Sequence, residues 1–209
     1  MIFEQIRVGG DRNYAYLIAD ELAREAALVD PGCSGEFLVE KIQNDGLRLV
    51  YVINTHPHSD HTRDNGLVAK ATGAKIAAFG DGDVCLVDGD VLKVGALELT
   101  VIHTPGHTPA DICVLVDNKL VTGDTLFVGK VGGTGFGEDA RIEFDSLHRL
   151  LDELDDGVEV WPGHDYGVRP SSTIGEERQE NPFLLREKFK DFLWLKKNWL
   201  DYKKKHNIK

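Results

Sequence analysis

Cysteine is scarce in this chain, and its few copies lie far apart. Among the 209 residues there are three cysteines, Cys33, Cys85 and Cys113, and no C-x-x-C pair occurs. Disulfide-stabilised scaffolds need an even set of cysteines at short spacings, so this count excludes that class and favours a reducing compartment. We assign all three cysteines to packing rather than to nucleophilic catalysis.

Long apolar runs are also absent. No stretch of 18 apolar residues occurs that would predict a membrane-spanning helix. The first residues, MIFEQIRVGGDRNYAY, lack the basic start and the apolar core of a signal peptide. We therefore predict a cytoplasmic protein with no membrane partner.

Positive charge is in short supply. The 24 Lys and Arg residues face 35 Asp and Glu residues, which gives a formal net charge of −11. Nucleic-acid-binding domains normally carry a basic face, whereas the lysines here gather near the C-terminus, where they read as a solvated helix face. We predict no nucleic-acid partner. The length and the ordinary apolar content suit a single domain over residues 1–209.

Apolar runs that end in turns alternate with stretches of helical spacing. The predicted strands are Tyr14–Ala19, Ala26–Val29, Leu49–Ile53, a hairpin over Leu92–Ile102 that turns at Gly95-Ala96, Ile112–Val116, Leu120–Val121 and Val158–Trp161. The predicted helices run from about Ser34, as N-cap, to Asn44, from Asp60 with Leu67, Val68 and Ala71 buried, from about Phe144 to Leu154, and through a mostly helical segment at about 171–209. This mixture predicts an α/β or α+β fold in which helices cover the sheets.

Histidine and aspartate are concentrated in the segment Thr-His-Pro-His-Ser-Asp-His at positions 55–61. His56 and His58 are two residues apart, so in an extended chain they point the same way. Asp60 and His61 follow a predicted bend into a helix and can aim elsewhere. Imidazole and carboxylate suit zinc, iron and manganese, so one short loop can supply two neighbouring metals.

Three further ligand candidates each follow a predicted strand and stand beside a glycine. They are His107 in HTPGHTPAD, Asp124 in VTGDTLF and His164 in VWPGHDYG. Loops at strand ends commonly carry functional residues, so these side chains are expected to converge on the first segment. We assign His103, His148 and His206 to ordinary core or surface roles.

The segment THPHSDH resembles the signature of the metallo-β-lactamase superfamily, and the later motifs follow in that family's order over most of residues 14–182. The resemblance implies a four-layer αββα sandwich. It also implies a first metal held by His56, His58 and His107, a second held by Asp60, His61 and His164, and Asp124 as the bridge between them.

Within that superfamily, GDTLFVG and PGHDYG are similar to glyoxalase II, the hydroxyacylglutathione hydrolases. This resemblance implies a thioester hydrolase with two divalent metals, zinc first and iron or manganese as alternatives. A metal-bridging hydroxide would attack the substrate, with Asp60 and Asp124 as the catalytic carboxylates. Tyr166 matches the family tyrosine that contacts glutathione, and Lys130, Arg169 and Arg141 are candidate anion contacts.

An alternative remains open, because the tail HDYGVRPSSTIGEERQENPFL is similar to the persulfide dioxygenases. That family uses one iron, which here would be held by His56, His107 and Asp124. It tends to have alanine where this chain has Gly163, and Arg and Asp at Gly133 and Gly135. Both alternatives predict a small acidic thiol conjugate as substrate. A metal-binding scaffold without turnover is the third hypothesis.

Two further expectations concern residues outside the ligand set. Asp30, in the turn after a predicted strand, is a candidate acceptor for the second ring nitrogen of a ligating histidine. The apolar C-terminal segment from Phe183 to Tyr202 is expected either to cover the sheet or to meet a partner chain in a homodimer.

Overall fold

Two six-stranded sheets dominate the computed structural model, which describes residues 1–208. The first sheet has the order β1-β2-β3-β4-β5-β7, antiparallel from β1 to β3 and parallel from β3 to β7. Its strands, with the short β6, are β1 Ile2–Arg7, β2 Tyr14–Asp20, β3 Glu25–Val29, β4 Arg48–Ile53, β5 Lys75–Phe79, β6 Asp81–Gly82 and β7 Val84–Leu86.

The second sheet has the order β15-β14-β11-β10-β9-β8 and is antiparallel except where β11 meets β14. Strands β12 and β13 form a separate two-stranded hairpin. The bounds are β8 Val91–Val94, β9 Leu97–His103, β10 Ile112–Val116, β11 Lys119–Gly123, β12 Leu126–Phe127, β13 Lys130–Val131, β14 Glu159–Pro162 and β15 Ser172–Thr173.

Within residues 1–208, seven helices lie outside the two sheets. They are α1 Gly35–Asn44, α2 Ser59–Thr62, α3 Asn65–Thr72, α4 Glu138–Glu153, α5 Ile174–Glu180, α6 Phe189–Lys197 and α7 Trp199–His206. None of the helices in residues 1–208 has both the length and the apolar character that crossing a membrane requires.

Alternation along the strands divides the apolar side chains among three core clusters. On β2, Tyr16 and Ile18 pack between the sheets, while Leu17 faces the opposite way. Leu17 belongs to a cluster that α1 and α3 cover with Leu38, Ile42 and Val68, and a third cluster joins the second sheet to α4, α5 and α6. The layers therefore run helix, sheet, sheet, helix, which confirms the predicted αββα sandwich.

The C-terminal segment contains helices α5, α6 and α7, and it covers the second sheet. Phe183, Phe192 and Leu195 are buried in the third cluster, and Trp199 packs against it. Trp194 is exposed on the outer face of α6. The homodimer stays a prediction.

The predicted helix from Asp60 onward is wrong as a continuous element, because the chain breaks between α2 and α3. At the break, the Asp64 amide donates to the Gly32 carbonyl at 3.0 Å, and the Asp64 carboxylate accepts from the Gly35 amide at 2.8 Å. These contacts turn α3 so that Val68 is buried, whereas Leu67 and Ala71, both expected inside, are exposed.

Other corrections are local. Ser34 stands at the N-cap of α1 without capping it, because its hydroxyl accepts from the Gly9 amide instead. Helix α4 begins at Glu138, six residues before the predicted Phe144. Cys113 is fully buried as expected, and burial raises its pKa to about 12, whereas Cys85 is exposed, so the packing assignment is wrong for Cys85.

Candidate metal centre

The seven predicted ligands meet at one edge of the sandwich, on loops from both sheets. The first sheet contributes the segment after β4, in which His56 and His58 precede α2 and Asp60 and His61 lie within it. The second sheet contributes the loop after β9, the residue after β11 and the loop after β14, which carry His107, Asp124 and His164 respectively. Residues separated by about a hundred positions in the chain thus share one site.

One set of three donors consists of His56, His58 and His107. One ligand-type nitrogen from each lies within 4.8 Å of the others. The Nε2 atom of His107 is 2.9 Å from Nδ1 of His58. We call this set the histidine group.

A second set consists of Asp60, His61 and His164, whose donor atoms also lie within 4.8 Å of one another. The Nε2 atoms of His61 and His164 are 3.2 Å apart, and each is 3.5 Å from Oδ2 of Asp60. We call this set the aspartate group.

Asp124 reaches both groups. Its Oδ2 atom lies 3.7 Å from Nε2 of His107, in the histidine group, and 3.3 Å from Nε2 of His164, in the aspartate group. Its Oδ1 atom lies 3.5 Å from Nε2 of His61. This central carboxylate occupies the place that a bridging ligand would take.

Hydrogen bonds at the outer ring nitrogens orient four of the imidazoles. The Nδ1 atoms of His107 and His164 lie 2.7 and 2.8 Å from the carbonyl oxygens of Gly133 and Asp11. Since a carbonyl can only accept, each Nδ1 donates a proton to it, and this hydrogen bond directs Nε2 inward toward the other donors. Histidines that bind metals in proteins are held in this way.

The other two imidazoles are oriented through Asp30, which is buried. Its carboxylate accepts from the Thr55 amide at 2.9 Å and the Thr55 hydroxyl at 2.6 Å, and it lies 3.0 Å from Nδ1 of His61. Because the Thr55 hydroxyl donates to Asp30, its oxygen can accept from Nδ1 of His56, 3.1 Å away. The predicted contact between Asp30 and a ligand-type histidine is therefore present.

The residues fit a pair of cations, and two buried atoms point to this. Nε2 of His56 and Oδ1 of Asp124 are buried without a hydrogen-bond partner. Buried polar atoms almost always have a partner, and a cation among these donors would supply it. Three or more imidazoles with carboxylates form a donor set that zinc, iron and manganese accept.

Burial and the neighbouring charges shift the pKa values in the site. Burial and nearby His61 lower the pKa of His56 to about 4, so this imidazole is neutral at pH 7. Burial opposes protonation of His61, but the Asp30 carboxylate raises its pKa to about 9. Burial also opposes ionisation of Asp124, yet the hydrogen bond with His164 and the imidazoles lower its pKa to about 2. Metal binding at neutral pH would therefore displace a proton from His61.

The predicted substrate contacts lie beside the aspartate group. The Tyr166 ring stacks on His164 with 4.6 Å between centroids, and the Lys130 ammonium donates to the Tyr166 carbonyl at 2.6 Å. Both residues line a cavity of about 350 Å³ that also reaches Gly133. Arg169 lines a smaller neighbouring cavity and pairs with Glu176, whereas Arg141 pairs with Asp145 on α4.

Sequence reasoning missed the loop before β2, Gly9 to Asn13. The Asn13 amide donates to Oδ2 of Asp60 at 2.9 Å and lies 3.3 Å from Nε2 of His61, and the Asp11 carbonyl faces His164. The Arg12 guanidinium lies 4.7 Å from the Tyr166 ring centre. The only signal was the turn-rich sequence GGDRN between two strands, and this sequence does not indicate contact with a metal site.

The remaining histidines have the ordinary roles expected of them. His103 stacks on Phe79, and His148 bonds to the Phe144 carbonyl within α4. His206 stacks on Tyr202 in α7.

Comparison with known proteins gives consistent matches. Residues 8–84 and 77–164 match the family model of the Metallo-beta-lactamase superfamily. The chain is 39% identical to a hydroxyacylglutathione hydrolase from Anaeromyxobacter dehalogenans, over 88% of this chain and 86% of that protein. It is 34% identical to a mitochondrial persulfide dioxygenase from Bos taurus, over 82% of this chain and 71% of that protein. A crystal structure of ETHE1 from Myxococcus xanthus superposes with a TM-score of 0.88 at 35% identity, covering 95% of this chain and 91% of that one.

Proposed function

The chain belongs to the metallo-β-lactamase superfamily, and we propose that this metalloenzyme is a thioester hydrolase for hydroxyacylglutathione-like substrates. The observation that carries the proposal is the aspartate group. Asp60, His61 and His164 form a second donor set beside the histidine group, and Asp124 reaches both. A mononuclear site would not need this second set.

The histidine group would hold one divalent ion and the aspartate group the other, with Asp124 between them. We propose zinc as the first choice, with iron or manganese as alternatives. When bound, such ions lower the pKa of water from 15.7 to about 7, which makes hydroxide available at neutral pH.

Two carboxylates of this chain then have distinct tasks. Asp124 is ionised and central, so it offsets positive charge between the two donor groups. Asp60 is held by the Asn13 amide, which fixes one of its oxygens. We propose that Asp60 accepts a hydrogen bond from the attacking water and orients it. These are the two catalytic residues of the proposal.

The reaction adds water across the thioester. A carbon–oxygen bond forms, the carbon–sulfur bond breaks, and a carboxylic acid and a thiol are released. Since a thiol has a pKa near 8.5, it departs as thiolate without a strong general acid.

The cavity beside Tyr166 supports a small acidic thiol conjugate as substrate. No carboxylate lines this cavity, although the chain carries an excess of acidic residues. Lys130 gives the cavity a positive charge, and several aromatic rings complete its walls. Tyr166 stacks on His164, which places the cavity directly against the aspartate group.

A second candidate is the mononuclear-iron persulfide dioxygenase, with His56, His107 and Asp124 as ligands. The likeness to the solved structure of ETHE1 from Myxococcus xanthus favours it, as does the bovine relative. In that case, the aspartate group would be dispensable for turnover.

Elemental analysis of protein expressed with zinc and iron both available tests the proposal, together with two assays. The hydrolase predicts two metals per chain and turnover of an acylglutathione thioester. One iron per chain with oxygen uptake on glutathione persulfide would replace it with the dioxygenase. Bound metal without either activity would instead favour a metal-binding scaffold without turnover.

The variant Asp60→Ala distinguishes the hydrolase from the dioxygenase. The hydrolase predicts loss of one metal and of thioester turnover, whereas the dioxygenase predicts full iron and full oxygen uptake. Ser59→Ala is the matched control, because Ser59 is the exposed neighbour in the same helix.

A further inference from the structure

A buried ion pair joins two helices that the proposed chemistry does not use. The Lys196 ammonium, on α6, donates to Oε2 of Glu143, on α4, and the two side chains are 6% and 1% exposed. The other Glu143 oxygen, Oε1, is buried without a partner. Burial of two charges is costly, and an apolar pair of similar volume often gives equal or greater stability. Packing alone therefore does not explain this pair.

The lysine also contacts the loop that orients His107. Its Nζ donates to the Gly132 carbonyl at 2.9 Å, and the next residue, Gly133, supplies the carbonyl that accepts from Nδ1 of His107. Gly132 itself packs closely against Asp124 and His107 of the metal centre. A Cβ there would lie 2.2 Å from the Asp124 carbonyl oxygen and 3.1 Å from Cβ of His107.

The glutamate packs against Gly106, the residue before the same histidine. A Cβ on Gly106, the residue before His107, would lie 2.4 Å from Cβ of Glu143, so α4 is pressed directly on this loop. One turn along α4, the Ser146 hydroxyl donates to the Pro105 carbonyl at 2.7 Å. The two residues of the pair therefore contact Gly106, which precedes His107, and Gly132, which precedes the Nδ1 acceptor Gly133.

We propose that Glu143 and Lys196 are positioning residues for His107, which set the direction of its inward Nε2 atom through Gly106 and Gly132–Gly133. The inference rests on the proposed metal site, and it assigns to the C-terminal helix α6 a role in the histidine group. The aspartate group has no such dependence, because the acceptor of His164 lies in the loop before β2.

The test replaces the pair by apolar residues of similar size in the full chain, Glu143→Leu with Lys196→Met. This double variant leaves no buried charge unpaired, so it is expected to fold. The readout is nitrogen-15 NMR of the imidazole Nδ1–H groups, recorded with and without zinc. We expect at least about ten-fold faster solvent exchange at His107 and no change at His164, which serves as the internal reference.

Zinc competition titration gives the second readout. Loss of an outer-shell partner typically costs 10–100-fold in metal affinity, and we expect a loss in that range for one of two zinc ions. Lys190→Met, at an exposed position of the same helix, is the control and should change neither readout.

The outcomes separate the two proposals. Unchanged His107 exchange and unchanged zinc affinity in the folded double variant would overturn the positioning role. If the native chain binds none of zinc, iron and manganese, the proposed function fails, yet the NMR signal of the metal-free protein still decides whether the pair positions His107. If the double variant does not fold, Glu143→Gln with Lys196→Met, which also leaves no buried charge unpaired and keeps a polar group, replaces it in the same measurements.

Discussion

Asp30 shows how a single side chain can prepare a ligand. It sits at φ 50°, in the left-handed region, and its two oxygens serve the Thr55 amide, the Thr55 hydroxyl and His61. Aspartate and asparagine are the residues that tolerate this backbone conformation best. The substitution Asp30→Asn therefore tests the charge with little backbone strain.

We expect Asp30→Asn to lower metal affinity in the aspartate group by roughly 10–100-fold, because the amide is a weaker partner for His61. Competition titration with a zinc chelator measures this change. The control is Asp64→Asn, at a carboxylate that accepts from the Gly35 amide and contacts no ligand-type histidine. Equal zinc affinity in native protein and Asp30→Asn would show that Asp30 is only a turn residue.

The same residue predicts a pH dependence for the metal-free protein. Asp30 raises the pKa of folded His61 to about 9, against an ordinary value of 6.5. The folded state therefore binds the proton more tightly, so this contribution to stability is complete below pH 6.5 and disappears as the pH rises through about 9.

Urea unfolding of metal-free protein at pH 6.5 and pH 9 measures this contribution. Between these values, the native chain should lose on the order of 1–3 kcal/mol more unfolding free energy than Asp30→Asn. A parallel pH dependence in the two proteins would refute the assignment.

Gly163 leaves room for Asp124 to reach the aspartate group. A Cβ at position 163 would lie 2.6 Å from Oδ1 of Asp124, so Gly163→Ala must displace this carboxylate. We expect roughly ten-fold weaker binding of the second metal, as for other disturbed metal sites. Gly157→Ala is the matched control, because a Cβ there meets nothing within 4 Å and Gly157 lies outside the metal centre. Isothermal titration with zinc should show two sites in the control and one weakened site in Gly163→Ala.

At this scale, sequence reasoning named the ligand candidates that the fold brings together, and it missed most of the groups that orient them. His56, Asp124 and the other donors stand in motifs whose residue types name the chemistry. The acceptors for His107 and His164 are backbone carbonyls of Gly133 and Asp11, which any residue could provide. The contact of Asp30 with His61 was predictable, because the acceptor there is a side chain whose residue type appears in the sequence.

Among the elements, helix boundaries depended on tertiary contacts more than on local pattern. Helix α4 begins at Glu138 within a glycine-rich stretch, where the Asp139 carboxylate accepts from the Gly135 and Gly137 amides. Strand β1 has three apolar residues, Ile2, Phe3 and Ile6, without strict alternation, and none of its residues is fully buried, so no prediction covered it. The strands that deliver ligands were predictable because they are continuous buried runs, such as β4 before His56.

Helix α5 supplies a stability prediction at the scale of an element. The Thr173 hydroxyl accepts from the Glu176 amide, and the Glu176 carboxylate accepts from the Thr173 amide, which forms a capping box. Loss of such a cap costs about 1 kcal/mol, so Thr173→Ala should lower the Tm by roughly 2–4 °C.

Thermal unfolding monitored by circular dichroism measures this effect. Zinc affinity should stay unchanged, because α5 supplies none of the seven ligand candidates. Thr134→Ala, in a half-buried loop position outside any helix, is the control. A Tm equal to that of the native protein would show that the box contributes nothing.

For the molecule as a whole, the three core clusters lie apart from the metal centre, and we expect the metal-free chain to stay folded. A ligand at one hundred times its Kd stabilises the folded state by about 2.7 kcal/mol. Zinc at that level should therefore raise the Tm by roughly 5–10 °C. Differential scanning calorimetry with zinc and with chelator measures the shift, and Asp124→Ala should show little of it.

The four-layer architecture was implied by the resemblance of the motifs to the metallo-β-lactamase superfamily, and the comparisons confirm it. The pairing of β11 with β14 was not predictable, because two parallel strands 40 residues apart carry no sequence signal that identifies them as neighbours. This pairing nevertheless places Asp124 beside His164.

The division of the ligands between the sheets has a kinetic consequence. His56, His58, Asp60 and His61 follow a strand of one sheet, whereas His107, Asp124 and His164 follow strands of the other. An ion bound by both sets would cross-link the two halves of the sandwich at their shared edge. Departure of the ion would then require loops from opposite halves to separate together, so metal exchange should be slow and should accelerate with any change that loosens the contact between the sheets.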